Sequence, residues 1–243
     1  MRLLVTRPQP AAGRTAQKLE ALGHEAVVLP LFKAQHSVAA VRAALDQQHN
    51  ALAVTSAEAI RALAALGPAL EPHRATPLFA VGEATARAAA SLGFTDIRIG
   101  PGTGEALAVQ IPPETGTLVY LAGAPRASDF ERMLSERKVR HVTVETYGMQ
   151  PISYGPQILP DLLRDGPFDA VLLYSRRTAL RFATLLAEAG LKGAAFSARY
   201  LCLSAAVRDA LPDGAIADVA AAPDEENLLE LLGTEMGKNL PPA

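Results

Sequence analysis

Short apolar runs alternate along the chain with segments whose apolar residues recur every three or four positions. The first run, Leu3–Thr6, stops at Arg7-Pro8, where proline ends ladder pairing. Ala16, Leu19 and Leu22 then follow helical spacing, with Gly23 as a fitting C-cap. Ala26–Leu29, closed by Pro30, completes a βαβ unit. Val38–Leu45 reads as a helix, Ala51–Val54 as a strand, and a helix around Ile60–Leu66 ends at Gly67-Pro68. Leu78–Val81 is the next strand, and Gly82-Glu83-Ala84-Thr85 opens an alanine-rich helix ending at Gly93. Strand-like Asp96–Ile99, the loop Gly100–Gly104 and the helix Glu105–Ile111 complete the series.

The series then restarts. Leu118–Leu121 reads as a strand, Phe130–Leu134 as part of a helix and Val142–Tyr147 as a strand. A Pro/Gly-containing segment from Pro151 to Pro160 comes next. The segment Ala170–Phe182 (AVLLYSRRTALRF) repeats Ala51–Leu63 (ALAVTSAEAIRAL): an apolar strand, a serine cap (Ser56, Ser175), then a helix. Leu201–Leu203 with Ser204–Val207 parallels Leu78–Val81 with Gly82–Thr85. Ile216–Ala220 with Asp224–Leu232 parallels Ile97–Ile99 with Glu105–Ile111. Matched positions lie about 115 to 122 residues apart, which is duplication at domain scale. Strands apolar on both faces, alternating with helices, predict two doubly wound parallel α/β domains. On the repeat alone the boundary falls near residue 115.

Composition narrows the function without setting it. The chain has 243 residues, of which 49 % are hydrophobic and 20 % charged, enough for well-buried cores under an ordinary polar surface. A formal net charge of −2 gives no global pull toward nucleic acid or anionic membrane, so an acidic ligand has to be held by local groups. Cys202 stands alone in an apolar run, excluding a disulfide framework and a cysteine metal cluster. With no signal peptide or spanning segment in the sequence, a cytoplasmic location is expected. The lack of an excess apolar helix favours a monomer.

In open parallel sheets ligands sit beyond the carboxyl ends of the strands. The residues there are Arg7, Thr55, Ser56, Gly82–Thr85, Gly123–Arg126, Tyr147, Ser175, Arg176, Arg177 and Ser204. Hydroxyls, arginines and helix N-termini suit anions. Each has a plainer role beside this one. Ser56 and Ser175 can serve only as caps, Gly82 only to allow a tight turn, and Tyr147 only as an apolar residue with a wet hydroxyl. Adjacent Arg176 and Arg177 cannot face the same way, so one at most is functional. His24, His36, His49, His73 and His141 show no metal spacing and are assigned structural or surface roles. Asp224-Glu225-Glu226 reads as a helix opening with its dipole-favoured acids. Gly100–Gly104 does not fit a dinucleotide motif, and no phosphate-binding loop is present.

The ordered set Val5-Thr6-Arg7-Pro8, Val54-Thr55-Ser56, Ala80–Ala86, Gly104–Leu107, Val144–Tyr147 and Tyr174-Ser175 resembles the uroporphyrinogen-III synthase family over essentially the whole chain. The resemblance implies a cofactor-free, metal-free lyase of tetrapyrrole biosynthesis. Such an enzyme closes linear hydroxymethylbilane to uroporphyrinogen III, losing water and inverting ring D through a spiro-pyrrolenine. It implies two flavodoxin-like domains, residues 1–34 with 151–243 and residues 35–150, joined by a two-stranded hinge with the active-site cleft between them. It implies Tyr147 as the catalytic acid, with Arg7, Thr55, Ser56, Gly82, Thr85, Arg126, Ser175, Arg176 and Ser204 binding substrate. Hydroxymethylbilane synthase is then the expected supplier of the bilane. The chain departs from the family pattern at Ser204 and Val207, where Gly and Thr are usual. A non-catalytic two-lobed protein for a small polyanion is the competing reading.

Overall fold

A computed structural model describes residues 1–191 and 196–233. The chain separates into two compact units, Met1–Lys33 with Pro151–Ala243, and Ala34–Gln150.

The first unit is built on five strands: β1 (Arg2–Val5), β2 (Glu25–Val28), β9 (Ala170–Leu173), β10 (Arg199–Cys202) and β11 (Ala217–Val219). Their spatial order is β2-β1-β9-β10-β11, with every neighbouring pair parallel. Counted along the chain this is 2-1-3-4-5, the flavodoxin-like winding. Alternate strand residues face opposite sides. Leu3, Val5, Ala170, Leu172 and Leu201 pack against Ala12 and Leu19 of α1 (Ala11–Ala21) and Leu228 of α10 (Glu225–Glu230). On the other side Phe182 of α8 (Arg176–Glu188) meets the Tyr200 ring edge-on at 6.1 Å.

The second unit has six strands: β3 (Phe32–His36), β4 (Ala51–Val54), β5 (Leu78–Ala80), β6 (Ile97–Ile99), β7 (Leu118–Ala124) and β8 (His141–Pro151). Their order is β3-β8-β7-β4-β5-β6. Strands β4 to β8 pair in parallel. Ser37 N–H donates to the Thr146 carbonyl at 2.8 Å and Ile152 N–H to the Leu31 carbonyl at 2.9 Å, so edge strand β3 runs antiparallel to β8. Leu52, Val54, Val119 and Leu121 face α2 (Val38–Leu45), α3 (Ala57–Ala64) and α4 (Glu83–Ser91). Ala51, Ala53, Leu118 and Tyr120 face α5 (Gly104–Gln110) and α6 (Asp129–Glu136). Both sheets are therefore covered on both faces, which is why their strands read as unbroken apolar runs.

The duplication explains the strand orders. Counted from β7, the second sheet without its edge strand reads β8-β7-β4-β5-β6, again 2-1-3-4-5. The βαβ unit that opens each sequence half thus pairs with the strands of the other half.

Several elements differ from the sequence reading. Edge strand β3 has no apolar signature in the sequence because Lys33, Gln35 and His36 interrupt its run. A further helix, α7 (Ile158–Leu163), occupies the end of the Pro/Gly-containing segment and carries Pro160 within its first turn. Helix α3 stops at Ala64 rather than Leu66, and a 3₁₀ helix takes Gly67–His73. Leu22 lies past the end of α1 and is 61 % exposed, so it is not part of the buried helical face. Gly23 beyond it has φ +82°, a conformation that favours glycine.

Candidate active site

In a doubly wound sheet the crevice opens where successive connections leave to opposite sides. In the first unit that point lies between β1 and β9, and Arg7, Tyr174 and Ser175 stand at the carboxyl ends of those strands. Ser175 caps α8, its Oγ accepting from the Thr178 N–H at 3.2 Å. Arg7 is held by its own chain. Its Nη1 donates to Glu225 Oε1 at 2.6 Å, and its guanidinium lies over the Tyr174 ring, 4.2 Å from the centroid. Lys18, Thr15 and the Tyr174 hydroxyl also donate to Glu225. Burial raises the Glu225 carboxyl, but hydrogen bonds from Lys18 and Thr15 and the Arg7 charge outweigh it and hold it below 4.5. Glu225 is therefore more than an acid of the first turn of α10. Asp224 is the cap, accepting from the Asn227 N–H at 2.9 Å.

Arg176 is exposed at the start of α8, while Arg177 stacks over Phe32 with its guanidinium carbon 4.9 Å from the ring. The pair diverges as adjacent helical residues must. Ser204 precedes α9 (Ala205–Arg208), a single turn, and its side chain makes no capping bond. Val207 is buried in that turn.

In the second unit the corresponding point lies between β7 and β4. Thr55 Oγ1 shares a hydrogen bond of 2.8 Å with the buried Tyr120 hydroxyl. Ser56 caps α3, accepting from the Glu58 N–H at 3.2 Å. Arg126, beyond β7, donates to Glu131 at 2.8 Å and to Glu145 at 2.7 Å. These bonds, the Glu131 one foremost, push its already high pKa further up. Gly82 precedes α4 with φ −176°, ordinary extended backbone, so no tight turn demands glycine there. A Cβ at that position would meet Gly102 and Gly100 only at ordinary contact distance, 3.4 Å to Gly102 Cα. Thr85, one turn on, is buried.

Tyr147 is placed by an irregularity no residue spacing announces. Register between β7 and β8 runs evenly to Ala122↔Glu145 and then shifts to Gly123↔Tyr147, leaving Thr146 as the extra residue. Regular alternation would put Tyr147 on the face opposite Val144. The bulge turns it to the same face, where both pack on the α2–α4 cluster. Gly123 leaves the room. A Cβ there would lie 2.5 Å from Tyr147 Cζ. Burial raises the Tyr147 phenol pKa, partly offset by a hydrogen bond with Ser56. The phenol thus holds its proton at neutral pH.

The fold brings two residues, His36 and Glu58, to Tyr147 that the sequence does not place there. His36 ends β3, and its Nε2 lies 3.0 Å from Glu58 Oε2. The His36 and Tyr147 rings meet edge to face with centroids 6.4 Å apart. His36 reads only as a structural or surface histidine because half-polar β3 has no apolar signature, and Glu58 reads as an ordinary first-turn acid.

Among the described residues no three or more His, Cys, Asp and Glu side chains are grouped to hold a metal ion, and no helix is long and apolar enough to cross a membrane. A cavity of about 640 Å³ lies at the amino ends of β10 and β11, lined by residues such as Leu186, Tyr200 and Ile216. It contains none of the expected site residues.

Comparison with known proteins places the family and the fold. The profile of the family described as uroporphyrinogen-III synthase HemD matches residues 13–230. No curated protein matches the chain in sequence. The chain is similar in fold to uroporphyrinogen-III synthetase from Helicobacter pylori, with a TM-score of 0.61 and 17 % identity, over 96 % of this chain and 98 % of that one. It is also similar to a mutant uroporphyrinogen III synthase from the extremely thermophilic bacterium Thermus thermophilus, with a TM-score of 0.56 and 20 % identity, over 98 % of this chain and all of that one. A profile match over most of its length shows that the chain belongs to the uroporphyrinogen-III synthase family.

Proposed function

We propose that Tyr147 is the proton donor in the reaction this chain catalyses, the closure of hydroxymethylbilane to uroporphyrinogen III. The observation that carries this is the bulge that re-aims Tyr147, with its raised pKa, to the carboxyl edge of the second sheet beside Ser56. The reaction needs a hydroxide leaving group and a flexible cation held in a folded shape. A phenol that keeps its proton until a hydroxyl arrives suits the first need. Positioning and exclusion of water supply the second.

On this reading the acetate and propionate groups of the bilane are received at the strand ends. Ser56, Gly82 and Ser175 open helices whose first N–H groups bind carboxylates, with Thr55 and Thr85 beside them. Arg176 offers its charge directly, and Ser204 offers a hydroxyl not used in capping. Arg7 and Arg126 bind substrate by exchanging internal carboxylates, Glu225 and Glu131, for those of the bilane. The reading also carries cytoplasmic location, action as a monomer and supply of the bilane by hydroxymethylbilane synthase. The family match disfavours a non-catalytic polyanion-binding protein.

The test supplies fresh hydroxymethylbilane and separates type I and type III uroporphyrin after oxidation. Wild-type protein gives mainly type III, against a type I background from spontaneous closure. Tyr147→Phe is expected to slow type III formation by about 10²-fold or more, the usual range for a lost general acid. An unchanged rate removes Tyr147 from the role.

A further inference from the structure

At the carboxyl edge of the second sheet, Tyr147, Ser56, Glu58 and His36 stand together. Ser56 is close enough to the Tyr147 phenol to offset part of its raised pKa, and its Oγ accepts from the Glu58 N–H at 3.2 Å. The Glu58 carboxylate takes Arg61 on one oxygen and lies 3.0 Å from His36 Nε2 on the other. The His36 ring returns to Tyr147, edge to face at 60°. The chain contributes these residues from β3, α3 and β8, three elements far apart in sequence. His36 and Glu58 have side chains only 25 % and 17 % exposed, so their pairing is shielded more than a surface ion pair.

We propose that the His36–Glu58 pair positions Tyr147 for proton donation. The inference rests on the reading of Tyr147 given above. The lack of a side chain at Gly123 lets the ring in, His36 bounds its edge, and Ser56 stands beside the phenol. Ser56 stays in place only while the first turn of α3 does, and Glu58 ties that turn to β3 through His36. The negative charge of Glu58 also opposes ionisation of the phenol, so the proton is retained before substrate binds.

The step served is balanced within substrate and enzyme. The phenol proton passes from Tyr147 Oη to the oxygen of the ring-A hydroxymethyl group as the C–O bond breaks. The bonding pair leaves with that oxygen as water, and the pyrrole nitrogen electrons stabilise the methylene cation left behind. The substituted α-carbon of ring D attacks that cation to form the spiro-pyrrolenine. The bond from that carbon to the methylene shared with ring C then breaks, and that methylene rejoins ring D at its free α-carbon, whose lost proton restores the phenol.

The test measures kcat and KM for type III formation in His36→Ala, His36→Gln and Glu58→Gln, each alone and with Tyr147→Phe. The expected result for His36→Ala is a fall in kcat of about tenfold with KM within twofold, the mark of a displaced reacting group. His36→Gln, whose amide can still donate to Glu58, recovers most of the loss. Glu58→Gln lowers kcat without adding fully to His36→Ala, since both act through one group. With Tyr147→Phe present, removing His36 has no further effect. Wild-type kcat in His36→Ala, or an equal loss on the Tyr147→Phe background, overturns the proposal while leaving Tyr147 as the acid. Full activity in Tyr147→Phe alone overturns both. Should His36→Ala fail to fold, the near-isosteric Glu58→Gln decides by the same two comparisons.

Discussion

Replacing Gly123 by alanine tests how Tyr147 is seated without touching its chemistry. The added Cβ would lie 2.5 Å from Tyr147 Cζ, 2.6 Å from its hydroxyl oxygen and 2.7 Å from Cε2. Non-bonded carbons rest at about 3.5–4.0 Å, so the ring must retreat by about 1 Å or more. It cannot retreat freely, because it already packs on the α2–α4 cluster and against His36. Overpacking of this kind costs about 1–3 kcal/mol of stability. A reacting group misplaced by about 1 Å costs about 10²-fold in rate. The expectation is a modest drop in Tm and a large drop in kcat for type III formation. Adding Tyr147→Phe should lower the rate no further than Tyr147→Phe alone, because both changes remove the same proton donor. A folded Gly123→Ala enzyme turning over at the wild-type rate would refute the reasoning, since the acid would then not need its observed seat.

Two further outcomes concern the first unit. The Glu225 carboxyl is held below its ordinary value of 4.5, so its stabilisation is complete above that pH and is lost as pH falls through the lower, folded value. Stability measured by chemical denaturation should decline below about pH 4.5, and Glu225→Gln should flatten that decline; an unchanged slope removes Glu225 as its source. Cys202 is fully buried, and burial pushes its thiol up to about 12. Iodoacetamide at about pH 8 should leave it intact in the native protein and alkylate it once denaturant is added, whereas rapid native labelling would contradict the buried strand position.

The sequence by itself determined most of the elements and the alternation of parallel strands and helices. Runs such as Ala51–Val54 and Ala170–Leu173 are short, apolar and bounded by a hydroxyl residue, and local physics suffices to make them buried strands leading into capped helices. It also marked the strand-end residues, because chain order alone identifies the residue after each strand. Its limit was set by pairing. Whether β1 and β2 join their own half or the other depends on long-range contacts such as Leu4↔Val171, and both choices bury the same apolar faces. Edge strand β3, half polar, has no apolar signature and exists because β8 offers it a hydrogen-bonding edge.

The candidate site shows the same division more sharply. Arg7 and Arg126 read as free cations at strand ends, but the fold brings Glu225, Glu131 and Glu145 onto them from distant segments. Tyr147 could be named from the sequence, yet the face it occupies is decided by one unpaired residue in the β7–β8 ladder and by the missing side chain at Gly123. A strand's side-chain alternation is local and readable, whereas a register shift arises only when two strands meet. His36 and Glu58 become neighbours of Tyr147 for the same reason. Residue type and order are written in one dimension, and proximity between segments is settled only when the sheets close.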